Sequence, residues 1–446
     1  MEHYDFIALG GGNAGLTAAK RIRAAGKKVA LIDPTPIGGL CALRGCNPKK
    51  VLVRAVEVLN VVREASRHGI AIGEPAIVWE AVIARKRSFT DAVPARTEQD
   101  LGEAGIEYIE AAPRFTSSES LEAGSRTLSF DQVLVAAGSA PRELDFPGAA
   151  HVRTSDDILD LSDVPRRLAI IGSGVVAFEF AHVFLRLRSE VHMLMRGRDA
   201  LKRSETGVVK HAIEHLRALG LRLHADVEVS ALERTGAAYH VRLDNGESVA
   251  ADFVLNAAGR PPVLDALALE EADVEYSARG VKVDHFLRSI SNRKVFAAGD
   301  AHGRMQLSPI ASYEGAVVAE NVLQGDTRRV DYSAIPTVVF MDPPLADVGL
   351  TEDEARGKGL DIDVVTQDMA DWIVFRIAGE GAPAHGKAIY DKRTGRVLGA
   401  HLFGPGADDN IHVFAMAMRY GITRGQLSEM IYAYPTFGSA MAYLAQ

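Results

Sequence analysis

Cysteine is, with tryptophan, what this sequence has least of. Its 446 residues include 2, Cys41 and Cys46, separated by four residues. Two thiols cannot staple a disulfide-dense secreted scaffold, and they cannot supply a four-thiolate zinc or iron–sulfur site. Positive charge is also short: Lys+Arg total 50 against Asp+Glu 58, a formal net charge of -8. With no basic tract, this argues against a nucleic-acid partner. The opening residues Met1-Glu-His-Tyr-Asp-Phe6 lack the charged n-region and apolar stretch of a signal peptide. A membrane-length apolar run is missing too. The most apolar stretch, Leu168 to Leu185, contains two glycines, Glu179 and His182, and so reads as strand, turn and helix. The expectation is a cytoplasmic protein with no membrane or nucleic-acid partner. None of the 14 histidines falls in an obvious ligand cluster, and no metal site is expected.

What is present is an ordinary folded composition, 47% hydrophobic and 24% charged, with 41 glycines. The length exceeds one ordinary hydrophobic core and predicts about three domains. The first 33 residues form a legible unit. Tyr4 to Leu9 is an apolar run of strand length. A GxGxxG turn follows, made by Gly10, Gly12 and Gly15 with Asn13 and Ala14 inside it. A helical pattern through Leu16, Ala19, Ile22 and Arg23 then ends near Gly26, and a second strand, Val29 to Ile32, ends at Asp33. This is a βαβ dinucleotide pattern. A pyrophosphate needs backbone N–H groups and a helix N-terminus within reach, and a β-carbon would block it. Asp33 is placed to accept hydrogen bonds from a ribose.

The pattern returns further on. Leu168 to Ile171 predicts a strand, Gly172-Ser-Gly174-Val175-Val-Ala177 a GxGxxA turn, Phe178 to Leu187 a helix, and Val191 to Met195 the next strand. No acid follows it. Arg196, Arg198, Lys202 and Arg203 stand there instead, and cations suit a 2′-phosphate where an acid would repel it. A solvated basic loop is the plainer reading of these four side chains. The residues favour NADPH over NADH.

Lys49 to Phe115 reads as helical and mixed, and Val133-Leu-Val-Ala-Ala-Gly138 closes the first part. A C-terminal part opens at Ile335 and repeats no dinucleotide motif. Pro147-Gly148, Pro261-Pro262 and Pro343-Pro344 mark turns at plausible boundaries, and no low-complexity linker is present.

The cysteines lie in Gly38-Gly39-Leu40-Cys41-Ala-Leu-Arg-Gly-Cys46-Asn-Pro-Lys49-Lys50. Two thiols this close, just after a dinucleotide unit, suggest a redox disulfide, against the alternative of two inert thiols. This segment resembles the GGxCxxxGCxPxK segment of the FAD-dependent pyridine nucleotide–disulfide oxidoreductases, the group of glutathione reductase, lipoamide dehydrogenase and mercuric reductase. The resemblance covers the whole chain. Ala136-Ala137-Gly138 resembles the family's ATG turn with alanine for threonine. Ala257-Ala-Gly259-Arg260-Pro261 resembles its GRxP turn. Val295-Phe-Ala-Ala-Gly299-Asp300 resembles the second FAD motif, whose aspartate binds the ribityl chain, and Leu307-Ser308-Pro309 follows as in the family. Ile335 to Phe340 and Val348 to Glu354 resemble the start of its interface domain.

The resemblance implies an α/β chain with two Rossmann-like domains, for FAD and NADPH, and a C-terminal α+β dimerisation domain. The expected boundaries are 1–147 for the first part of the FAD domain, 148–265 for the NAD(P)H domain, 266–330 for the central FAD part and 331–446 for the interface domain. It also implies hydride transfer from NADPH through FAD to a Cys41–Cys46 disulfide, with Cys46 as the charge-transfer thiolate and Cys41 as the interchange thiol. Lys49 matches the lysine beside the flavin, and Glu179 the glutamate paired with it. A homodimer is implied, in which the Tyr434 segment completes the partner's site.

Departures from the family bear on the substrate. Tyr434 stands where the disulfide reductases carry the histidine before Pro-Thr, and Ser439 replaces the glutamate that orients it. Histidine exchanges protons near neutrality, whereas an ordinary tyrosine, with a pKa of about 10, is a poor base at pH 7. A tyrosine near this place is what mercuric reductases carry, yet the chain ends Ala440-Met-Ala-Tyr443-Leu-Ala-Gln446 without their cysteine pair. Val175, Lys20 and Leu40 replace a family tyrosine, arginine and threonine. The substrate therefore stays open between a disulfide and another thiol-reactive electrophile, a metal ion, or a quinone reduced directly from the flavin. A flavin-binding redox sensor is the non-enzymatic alternative. Arg196→Glu is expected to weaken NADPH far more than NADH, measured as Kd for each, because it sets a carboxylate against the 2′-phosphate.

Overall fold

The computed structural model describes residues 1–236, 238–379 and 381–446. The chain divides into two units. One holds Met1–Val51, Ile83–Glu143 and Gly259–Asp331; the other holds Leu52–Val82, Leu144–Ala258 and Tyr332–Gln446.

The first unit is built on a mixed sheet. Its parallel strands run in the order Glu107–Ile109, Val29–Ile32, Glu2–Leu9, Arg126–Val135, with Val295–Ala297 also pairing parallel to Arg126–Val135. The near-continuous apolar runs that mark these strands follow from burial on both faces. Phe6, Ile7, Ala8, Ala30, Leu31, Leu134 and Val135 are all buried. The antiparallel hairpin Pro113–Ser117 and Ser120–Ala123 extends the sheet. The expected strand at Tyr4–Leu9 and helix through Arg23 are found as Glu2–Leu9 and Asn13–Ala24. That helix is rich in alanine on its buried face. Small side chains there let a second helix, Ser308–Gln324, approach so closely that a β-carbon on Gly315 would lie 2.4 Å from the Ala14 carbonyl oxygen.

In the second unit a parallel sheet runs in the order Phe253–Asn256, Arg167–Ile171, Glu190–Met195, Arg222–Ala225, with the helix Val175–Arg186 after the second of these strands. An antiparallel meander, Val229–Thr235, Ala238–Leu243 and Ser248–Ala251, shares a core with this sheet through Ala169, Leu194, Leu232, Val241 and Val249. The C-terminal part is a five-stranded antiparallel sheet in the order Thr337–Val339, Leu345–Gly349, Val397–Phe403, His385–Asp391, Ile362–Asp368. The helix Ala407–Tyr420 shares its core through Ile411 and Phe414. The first strand after Ile335 is Thr337–Val339, paired antiparallel with Leu345–Asp347. The apolar stretch from Leu168 does divide into strand, turn and helix. Among the described residues no helix is long and apolar enough to cross a membrane.

The residue 49–115 region, legible only as mixed, is three helices, Cys46–Glu64, Trp79–Thr90 and Val93–Ala104, followed by short strands. The division between the two units falls inside the first helix, between Val51 and Leu52.

The glycine of the second turn gives a sharp test. Gly172 has φ +123° and its missing β-carbon would lie 2.2 Å from the Ala257 carbonyl oxygen, whereas nothing lies within 4 Å of a β-carbon on Gly174. Gly172→Ala is expected to lower stability by about 1–3 kcal/mol in thermal or urea unfolding. Gly174→Ala is expected to unfold as the wild type does and to lose pyridine-nucleotide binding instead.

Candidate active site

The first nucleotide turn is shaped by carbonyls. Gly10 has φ +120° and a β-carbon there would meet the Ala136 oxygen at 2.1 Å; one on Gly15 would meet the Gly10 oxygen at 2.0 Å. Both positions therefore require glycine. Gly12 caps the Asn13–Ala24 helix in extended conformation, and its nearest neighbour is the Gly39 α-carbon at 3.9 Å. Gly39, at φ +74°, lies against Gly12 in turn, so the cysteine segment starts on the turn itself. Asp33 accepts from the Gly11 N–H at 2.6 Å through one oxygen, and from the Thr35 amide and hydroxyl at 2.9 and 2.8 Å through the other. The carboxylate expected to hold a ribose thus also ties the turn.

The cysteines follow at once. Cys41 lies in the short helix Gly39–Leu43, and Cys46 is the first residue of the 19-residue helix Cys46–Glu64. The Cys46 thiol donates to Cys41, and Ser308 hydrogen-bonds to Cys41 as well. With Lys49's charge nearby, these contacts bring the Cys41 thiol down to about 6 and push the Cys46 thiol up, since Cys46 keeps the shared proton. The two sulfurs titrate as a pair, which holds one negative charge near neutrality. Placed this way, the charge sits on the opposite sulfur from the charge-transfer thiolate that the family order implies. The N-terminus of the long helix favours charge at Cys46, which opposes this placement.

The same unit gathers the other expected flavin residues. Asn13 donates to the Ser308 hydroxyl, the first residue of the Ser308–Gln324 helix. A β-carbon on Gly299 would lie 3.5 Å from that of Ala14. Asp300 accepts from the Ser139 hydroxyl at 2.5 Å, directly after Ala137 and Gly138, and burial raises its carboxyl above the usual range. Arg260 donates to the Ser139 carbonyl at 2.9 Å, and Arg142 N–H to the Gly259 carbonyl at 2.9 Å. Ser139 was absent from the expected set; its only signal in the sequence is its place after the Ala-Ala-Gly turn.

In the second unit Gly172, Gly174 and Val175 form the turn that starts the Val175–Arg186 helix, with Val175 exposed. The basic loop rests on it through the Leu201 N–H to Ser173 carbonyl bond at 3.0 Å. Lys202 lies over Gly197. Arg196 and Arg198 are highly exposed, and each already faces an acid, Glu228 at 3.7 Å and Asp226 at 2.5 Å. Glu179 is 1% exposed and accepts the Phe340 N–H at 2.9 Å. Tyr434 precedes a cis proline in a segment where Ile431 and Tyr434 are 98% and 73% exposed. His401 is committed to Asp347 at 2.7 Å and to the Leu350 carbonyl at 3.0 Å.

Residues 4–315 match the model of the pyridine nucleotide-disulphide oxidoreductases, and residues 335–445 match that family's dimerisation domain. The chain belongs to this family of NAD(P)H-dependent flavoprotein disulfide oxidoreductases. It is 30% identical over 446 residues to a glutathione reductase of Nostoc sp., covering 97% of each chain. It is 32% identical to a mycothione reductase of Mycobacterium tuberculosis, over 96% of this chain and 95% of that one. A mercuric reductase of Lysinibacillus sphaericus is 28% identical over 100% of this chain and 82% of its own. Among solved structures, the HOCl-induced flavoprotein disulfide reductase RclA from Escherichia coli, in a Cu(II) complex, superposes with a TM-score of 0.90 at 26% identity, over 100% of this chain and 99% of that one.

The family uses FAD and NAD(P)H, and the residues present fit both groups. Gly12 and Gly174 leave open space where a β-carbon would otherwise stand at the start of a helix, and the half-buried Asp300 carboxyl stands beside the Ala137-Gly138 turn. For the reduced protein, alkylation by iodoacetamide is expected to rise with pH through a midpoint near 6, set by Cys41. Ser308→Ala removes a bond that favours the thiolate, so the midpoint should move up, by about tenfold in proton affinity. A midpoint that stays put would separate Ser308 from the thiolate.

Proposed function

We propose that the chain uses NADPH to reduce a Cys41–Cys46 disulfide and passes the electron pair to a disulfide or another thiol-reactive electrophile. The observation that carries this reading is that the two thiols hydrogen-bond to one another beside Lys49, with the first ionisation already near neutrality. FAD, when bound, supplies the two-electron relay from nicotinamide to disulfide. Gly10, Gly12, Gly15, Asp33 and Asp300 hold it, and Gly172, Gly174, Val175 with Arg196, Arg198 and Lys202 hold the pyridine nucleotide.

The exchange itself belongs to the thiols. The Cys41 thiolate attacks one sulfur of an oxidised substrate, whose other sulfur leaves as a thiolate. Cys46 then loses its proton and displaces the second substrate thiolate, which restores the Cys41–Cys46 bond. Two electrons and two thiols are accounted for. Lys49 keeps the sulfur charge stabilised through both steps. The leaving thiolate needs a proton donor, and in a homodimer the partner's Tyr434 segment would face it, with a hydroxyl that donates well and accepts a proton poorly.

That substitution favours soft electrophiles that need little acid–base help. A metal-ion reading has two specific supports: a tyrosine at the histidine place, and similarity both to mercuric reductases and to RclA, which was solved with Cu(II). Anaerobic NADPH is expected to convert the oxidised protein from no alkylatable thiol to two per chain, counted by mass spectrometry. Cys46→Ser should then abolish turnover of disulfides. If the serine variant keeps full activity with disulfides, or if NADPH exposes no thiol, the disulfide reading falls. Full retention of quinone or Cu(II) reduction in the same variant would move the function to direct transfer from the flavin.

A further inference from the structure

The Val175–Arg186 helix carries, one turn past the nucleotide-binding glycines, two buried polar side chains aimed at the same piece of chain. Glu179 accepts the Phe340 N–H at 2.9 Å, and His182 Nε2 accepts the Asp342 N–H at 3.2 Å. Residues 340 and 342 lie just beyond the Thr337–Val339 strand, where the Met341 N–H turns back to the Val339 carbonyl at 3.1 Å. Positions 179 and 182 share a helix face, being three residues apart. The helix thus receives the amides of residues 340 and 342 with one carboxylate and one imidazole.

Asp342 is also held through its carbonyl and one carboxylate oxygen. Its carbonyl accepts from Arg186 at 3.0 Å and from His215 Nε2 at 3.1 Å. Its carboxylate accepts from the Asn60 amide at 2.7 Å and faces Arg186 at 3.5 Å. Arg186 also donates to the Asn60 side-chain oxygen at 2.7 Å, while Arg63 donates to the Arg186 carbonyl at 2.6 Å. Four stretches of chain meet in this knot: the distal end of the helix that begins at Cys46, the nucleotide-domain helix, the Thr206–Ala218 helix through His215, and the 340–342 segment.

His182 works here only as a neutral ring. An N–H donor needs a lone pair, so Nε2 must be bare and the proton must sit on Nδ1, which is fully buried with no hydrogen-bond partner among the described residues. Burial first, then the charge of Arg186, then His215 hold this imidazole well below its usual range. A buried N–H without a partner is costly. A leucine would fill the place without that cost, so the acceptor at Nε2 is what the position gains from histidine.

We propose that His182 and Asp342 are positioning residues for Glu179: the knot fixes the Phe340 amide, which captures one oxygen of the Glu179 carboxylate and so sets its orientation for hydride transfer from the pyridine nucleotide. The consequence for the reaction rests on the reading above that NADPH reduces the flavin. Glu179 lies one turn past Val175 on the helix that opens at the second nucleotide turn, so a carboxylate free to rotate would leave that end of the pyridine-nucleotide site unevenly set.

The test uses the holoenzyme with His182→Leu, which removes the acceptor, and His182→Gln, whose side-chain oxygen can take the place of Nε2. Amide hydrogen exchange at Phe340 and Asp342 should speed up about tenfold or more in the leucine variant and stay near wild type in the glutamine variant. Anaerobic stopped-flow flavin reduction by NADPH should slow about tenfold in the leucine variant, with the NADPH Kd within about twofold of wild type. Thiol–disulfide exchange by dithionite-reduced enzyme should keep its rate. Should the leucine variant fail to fold, Asn60→Ala, which removes one donor to the Asp342 carboxylate, is expected to give the same split between half-reactions at smaller amplitude. Unchanged exchange at Phe340, or equal slowing of both half-reactions, overturns the proposal. Wild-type enzyme that NADPH does not reduce overturns instead the reading on which it rests.

Discussion

Two carbonyl oxygens decide where everything else in this chain can sit. At Ala136 and at Ala257 a backbone oxygen lies where a β-carbon on the first glycine of each nucleotide turn would have to be, at 2.1 and 2.2 Å. The overlap admits only glycine. It also brings the end of one strand hard against the start of the helix that follows another. From this closeness come the direction of each helix N-terminus, the room in front of Gly12 and Gly174, and, in the first unit, the seat of the cysteine segment, because Gly39 packs on Gly12. Redox chemistry is delivered to the nucleotide turn by backbone contact, with no side chain needed to locate it.

On that seat the chemistry is a question of where one proton resides. Cys41 is drawn down by the Cys46 thiol, Ser308 and Lys49; Cys46 heads a long helix whose N-terminus favours negative charge. On the proposed function, one sulfur attacks a substrate and the other later closes the ring. A tyrosine and a serine where the family carries a histidine and a glutamate would leave that nucleophile in place and weaken the proton relay.

Much of the fold and part of the site were legible from residues alone. The βαβ units at Glu2–Ile32 and Arg167–Met195 were readable because local glycine spacing, helix periodicity and strand-length apolar runs are properties of neighbouring residues. Cys41, Cys46 and Lys49 were readable as one short motif. The pairing of Thr337–Val339 with Leu345–Asp347 was not, since a partner strand is no property of neighbouring residues. Ser139 holding Asp300 was invisible for a related reason: the two are 161 positions apart, and a serine after a glycine announces nothing. His182 was equally silent, because an imidazole between apolar neighbours carries no sign of the amide it will receive.

The sequence alone determined which family the chain belongs to and which glycines, thiols and lysine stand at that family's motif positions, for the motifs run in order along the whole chain. Only tertiary structure decided how those atoms are held. The Asp342 knot draws on residues from 60 to 342, and the Ser308 bond to Cys41 crosses much of the chain. Hydrogen bonds of that kind depend on direction to within tens of degrees. Direction is set by packed elements that meet only once the chain has folded.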